Sequence, residues 1–154
     1  MLARHGVPWI AIERAPRLIA AVRRQGHDVI LGDAAQPDVL ERLGLDTALA
    51  VVVTIDPEAA EAVVVTARSL APDLGIVARA HDAEQAGRLY QLGASDVVPE
   101  TIEASLRLSE ALLSRIGMPR DAVVASIRQR RDEFRHQAGN AETANRKGRR
   151  SSHR

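Results

Sequence analysis

Residues 48–70 read ALAVVVTIDPEAAEAVVVTARSL, and this stretch decides the fold class. Ala48–Thr54 is short, apolar along its length and β-branched at its centre. A strand without polar alternation suits a parallel sheet covered on both faces. Asp56 then offers a helix N-cap, and Pro57 falls in the first helical turn, where its missing N–H costs nothing. Glu58 adds acidic charge at the helix start, and apolar residues recur at helical spacing from Pro57 to Leu70.

The same unit repeats on both sides. Apolar runs at Pro8–Ile12, Asp28–Leu31, Gly75–Ala78 and, more briefly, Asp96–Val98 alternate with helical patterns at Pro16–Gln25, Pro37–Leu43 and Ala83–Leu92. Pro16 and Pro37 stand where Pro57 does, and Gly26, Gly44 and Gly93 follow helices where a left-handed cap is needed. Strands alternating with helices, joined by right-handed crossovers, predict an α/β domain with a doubly wound, Rossmann-like parallel sheet. After Pro99 the pattern becomes purely helical. Glu100–Ile116 is amphipathic, Gly117-Met118-Pro119 breaks it, and Arg120–Arg135 is a second helix with Val123, Val124, Ile127 and Phe134 inward. The expected organisation is an α/β part over 1–99, a helical packing segment over 100–136 and an unstructured basic tail over 137–154.

Composition narrows the function. The chain has 154 residues, 45% of them hydrophobic and 2% aromatic, so its core is aliphatic. The absence of cysteine excludes disulfides, thiolate metal sites and thiol nucleophiles. Arg146, Lys147, Arg149, Arg150 and Arg154 concentrate positive charge in the tail and leave the body slightly acidic, which argues against a nucleic-acid-binding surface. No apolar stretch approaches the about 20 residues of a membrane span. The start, MLARHGVPWIAI, has no signal-peptide pattern, and for a chain without cysteine a cytosolic setting needs no explanation. The histidines are scattered and no Ser-His-Asp spacing stands out, so no catalytic role is expected.

Glu13, then Gly32-Asp33-Ala34, Thr54-Ile55-Asp56, Ala78-Arg79-Ala80-His81-Asp82 and Leu92-Gly93-Ala94 together resemble the RCK N-terminal (TrkA-N) family. Pro99-Glu100-Thr101-Ile102-Glu103-Ala104-Ser105-Leu106 resembles the version found in Kef-type potassium/proton antiporters. The resemblance covers about Met1–Arg135. It implies a cytoplasmic regulatory domain at the inner face of the plasma membrane, binding NAD(H), an adenine nucleotide or a related small anionic ligand. It also implies a homodimer attached to a membrane cation transporter. The family opens with a strand and G-x-G-x-x-G, and neither occurs here. Met1–Gly6 looks like the end of the helix that follows that loop. The expected fold therefore lacks its first, central strand, through truncation, a misassigned start or a strand supplied by a partner chain.

Six residues are candidate ligand contacts. Glu13 ends a strand where a Rossmann acid accepts from ribose hydroxyls; alternatively it pairs with Arg14 or Arg17. Asp33 and Ala34 would, by resemblance, contact an adenine edge, while Asp33 as a helix cap is the plainer alternative. Thr54 and Asp56 end the next strand, and capping alone accounts for Asp56. Arg79 could hold a phosphate or carboxylate bidentately, or form a structural salt bridge with Glu100 or Asp82. His81 reads as a loop residue, and Trp9 and Tyr90 as packing residues. The leading reading is a ligand-sensing, dimer-forming regulatory domain. Its competitors are an interaction module that binds no ligand and a fragment of an NAD(P)-dependent oxidoreductase.

Overall fold

The computed structural model describes the backbone of residues 1–151 and the side chains of residues 1–138. A 3-10 turn at Leu2–His5 leads into β1 (Ala11–Glu13), α1 (Pro16–Arg24), β2 (Val29–Leu31) and α2 (Pro37–Arg42). Then come β3 (Ala50–Val53), α3 (Pro57–Leu70), β4 (Gly75–Ala80), α4 (Ala83–Leu92) and β5 (Asp96–Pro99). Two helices, α5 (Glu100–Arg115) and α6 (Arg120–Ser151), complete the chain. Pro16, Pro37 and Pro57 each open a helix, as their spacing predicts. Asp56 takes the N-cap position of α3 but makes no side-chain cap bond, whereas Asp82 caps α4 by accepting from Gln85 N at 2.9 Å.

All strand pairs are parallel. β1 pairs with β2, with Glu13 opposite Leu31, and β4 lies between β3 and β5. The two sheets are not hydrogen-bonded to each other. This division matches a doubly wound sheet without its central strand. Ile12 of β1 packs against the main core, and Thr66 Oγ1 of α3 donates to Ala35 O at 3.0 Å, so side chains join the halves where the ladder does not.

That core lies between the three-stranded sheet and α3 and α4, where Val64, Ile76 and Leu89 are fully buried. Side chains of this kind each contribute about 1.5–3 kcal/mol when removed from water. Strand alternation turns Val53, Ile76, Ala78 and Val97 toward this core and leaves Val52, Arg79 and Val98 exposed. Here the structure corrects the expectation of a sheet covered on both faces. α5 does not lie back over the opposite face. It packs instead on α6, forming a separate core of Leu106, Val123 and Ile127.

α5 also divides its apolar residues. Leu106 is buried and Ile102 and Leu113 face α6, while Leu108, Leu112 and Ile116, four residues apart, are 73%, 61% and 65% exposed. α6 runs beyond Arg135, where apolar spacing ends it. The expected basic tail, 137–154, lies outside the residues whose side chains are described, apart from Gln137 and Ala138.

Candidate functional site

The predicted site residues fall into two groups at strand carboxyl ends. The first belongs to β1 and β2. Glu13 is half-buried, and its Oε1 accepts from Arg14 N at 2.7 Å and Ala15 N at 2.8 Å. The carboxylate thus closes the turn into α1 with one oxygen, and neither Arg14 nor Arg17 forms a salt bridge with it. Asp33 Oδ1 accepts from Ala35 N at 3.1 Å, an Asx turn that shapes the loop before α2. Ala34 lies in that loop, half-buried against the core. Each carboxylate keeps its second oxygen without a protein hydrogen bond among the described residues.

The second group belongs to β3 and β4. Arg79 Nη2 donates to Thr54 O at 2.6 Å, which holds the guanidinium across two strand ends. Its Nη1 donates to Glu100 Oε1 at 3.0 Å, the first residue of α5. Sequence named this salt bridge as the alternative role of Arg79, and the structure contains it. Both partners are open to water, at 42% and 49% side-chain exposure, so the pair contributes little to stability. Asp56 is exposed and joins neither group.

Arg79 and Glu100 border an open cleft of about 400 Å³ whose floor is Val52, Val77 and Val98. This is the uncovered sheet face. An apolar floor beside a guanidinium can hold a small anion with an attached apolar or aromatic part. No hydrogen bond among the described residues links the Glu13–Asp33 group to the Thr54–Arg79 group.

A dinucleotide's pyrophosphate needs free backbone N–H groups at a helix N-terminus, approached through glycines. α1, α2 and α3 each begin with proline, which has no N–H there. Gly32 is the glycine in the β2–α2 turn, and a Cβ added to it would meet Val39 Cγ1 at 3.1 Å. The missing side chain there makes room for Val39 and Ile12. Among the described residues lining the cleft, Arg79 is the cation available to an anionic group of a ligand.

Two residues that matter locally escaped the sequence reading. Gln85 is 2% exposed, and its Oε1 accepts from His81 N at 2.7 Å, fixing the loop between β4 and α4. The spacing Asp82-x-x-Gln85 is a capping-box signal that could have found it. Arg68 donates to Gly93 O from Nε at 3.0 Å and from Nη2 at 2.7 Å, tying α3 to the end of α4. No local motif announces that contact.

The family model described as the TrkA-N domain matches residues 1–100. K(+) efflux antiporter 2, chloroplastic, of Arabidopsis thaliana is 32% identical over 136 residues, which are 88% of this chain and 11% of that protein. The glutathione-regulated potassium-efflux system protein KefC of Salmonella paratyphi B is 32% identical over 137 residues, 88% of this chain and 22% of that protein. The chain thus spans less than a quarter of either relative. Among solved structures, the Shewanella denitrificans Kef CTD in AMP-bound form superposes with a TM-score of 0.70 at 27% identity, covering 93% of this chain and 86% of that one. With the parallel α/β order, the strand-end rim and a match across most of its length in hand, the chain belongs to the TrkA-N domain family.

Proposed function

We propose that this chain is a ligand-sensing regulatory domain of a potassium (monovalent cation)/proton transport system, acting from the cytoplasmic face and binding an adenine mononucleotide. The observation that carries the reading is Arg79, held by a strand-end carbonyl at the mouth of an apolar-floored cleft. Glu13 and Asp33 each keep a free carboxylate oxygen for ribose and adenine donors. The Shewanella denitrificans Kef CTD is in AMP-bound form, and antiporters or efflux systems are the relatives that match along most of the chain. No helix among the described residues is long and apolar enough to cross a membrane, so the transport path itself would reside in another segment or chain. The role is binding rather than catalysis. Occupancy would favour one of two domain arrangements through differential affinity, and that bias would be read by the membrane part. A homodimer built on α5 suits such a device, since Leu108, Leu112 and Ile116 form an unpartnered apolar stripe.

Calorimetric titration with AMP, ADP, ATP and NADH tests the assignment. AMP is expected to bind and NADH to bind more weakly, with Arg79→Gln weakening AMP about tenfold or more, as expected for loss of a charge-assisted contact. One observation favours the interaction-module reading instead: Arg79 already has a carboxylate partner. Absence of heat and of thermal shift with every nucleotide would select that reading.

A further inference from the structure

We propose that Glu100 is a built-in competitor for the anion site, so that a ligand gains Arg79 only by displacing the first residue of α5. The proposal rests on the reading of Arg79 as the ligand's anion contact. The geometry divides the guanidinium between two partners. Nη2 stays on Thr54 O at 2.6 Å and positions the group, whereas Nη1 is engaged by Glu100 Oε1 at 3.0 Å. Among the described residues lining the cleft, Arg79 is the one cation, so an entering phosphate and the Glu100 carboxylate compete for the same guanidinium charge. The resident pair is weak, because both side chains lie substantially in water. A carboxylate held so loosely is displaceable.

Glu100 also has somewhere to go. Thr101 N of α5 already donates to His81 O at 3.1 Å, but Pro99 at the N-cap supplies no side-chain cap, which leaves the neighbouring first-turn N–H groups of that helix for an acidic side chain. The other acid on that turn is not interchangeable with it. Glu103 also borders the cleft, but both its oxygens are held by Arg131 of α6 at 2.7 Å. One turn of α5 therefore carries one acid on the cleft cation and one on α6. Removing the first alters the tether of a helix whose second tether holds the α5–α6 pair together. Glu100 thus sets affinity and links occupancy to the helix that bears the apolar stripe.

The test uses the full chain, with AMP as the probe, in calorimetry on wild type, Glu100→Gln, Glu100→Asp and Arg79→Gln. Glu100→Gln is expected to tighten AMP binding about three- to fivefold, the scale of an exposed ion pair of about 1 kcal/mol. Glu100→Asp, which keeps the charge on a shorter arm, should fall between it and wild type. Placing Glu100→Gln on Arg79→Gln should give no gain, since the contested group is gone. In NMR spectra of the wild type, AMP should move the Arg79 Nε–H signal and the Glu100–Glu103 amides together. Unchanged AMP affinity in Glu100→Gln, with weakening in Arg79→Gln, would overturn the competition and leave the nucleotide reading standing. Unchanged affinity in both, or no binding by any variant, would overturn both.

Discussion

Glu103 accepts two hydrogen bonds from a single guanidinium, Arg131 Nε and Nη2, each at 2.7 Å, with both side chains about one-third exposed. The planar fork of arginine fits a carboxylate this way, and a lysine could satisfy only part of it. The hydrogen bonds from Arg131 hold the Glu103 carboxyl below its ordinary value of 4.5, against the opposing effect of burial. A carboxyl lowered in the folded state adds stability that is fully present above its unfolded value and is lost as pH falls through the folded one. The melting temperature of the wild type should therefore drop on acidification from about pH 5 downward, and Glu103→Gln should flatten that limb while melting lower near about pH 7. Circular dichroism melts across this range check both arms, and an equally steep acid limb in the variant would remove Glu103 from the account. Sequence could place Glu103 and Arg131 on two successive helices but not in contact. The same holds for Arg79 and Glu100, whose pairing stood only as one of two options. Ion pairs between elements depend on helix rotation, and a single sequence does not display that angle.

The elements themselves were far more legible, because proline and glycine mark their ends by backbone physics alone. Gly93 shows why. It closes α4 at φ 108°, and Ala94 N donates back to Leu89 O at 3.0 Å in a Schellman-type end. A side chain is strained in that region of φ, and here a Cβ would also lie 2.9 Å from Arg68 Cγ. Arg68 cannot easily retreat, since it binds Gly93 O through two nitrogens and Ser95 Oγ through Nη2 at 3.2 Å. Gly93→Ala is accordingly expected to cost more than the about 1 kcal/mol typical of a surface change at a left-handed cap, with the excess removed in the Arg68→Ala background. Urea denaturation of the two single variants and the double variant measures it, and strict additivity would refute the clash. Helical spacing failed where it had to judge what covers a face. α5 reads as one amphipathic helix, yet its apolar residues serve two faces, because Leu106 and Leu113 meet α6 while Leu108 and Leu112 meet water. Periodicity reports that a residue is apolar, not which neighbour arrives.

At the scale of the molecule, the division of the sheet into a pair and a triplet is the feature with the largest physical consequence. β1 and β3 are each paired on one side only, so each presents a row of main-chain donors and acceptors along its other edge. Unpaired edges template association with other strands, and natural proteins blunt them with charge. β3 carries no such protection: its side chains are Ala50, Val51, Val52 and Val53, and Val52 is 62% exposed on the open face. Two modes of self-association should therefore coexist in the isolated chain. One is a closed dimer through the stripe of Leu108, Leu112 and Ile116 on α5. The other is open-ended and runs through the strands. Substitution separates them, since the two surfaces share no residue. Val52→Lys should suppress species larger than a dimer while leaving the dimer and, within about 0.5 kcal/mol, the folding stability, as expected for an exposed position. Leu112→Glu should do the reverse, converting dimer to monomer without removing the larger species. Sedimentation velocity at several concentrations distinguishes the outcomes. A wild-type chain that sediments as a monomer throughout and melts sharply at high temperature would mean that neither surface drives association, and that the divided sheet is stable with its edges open.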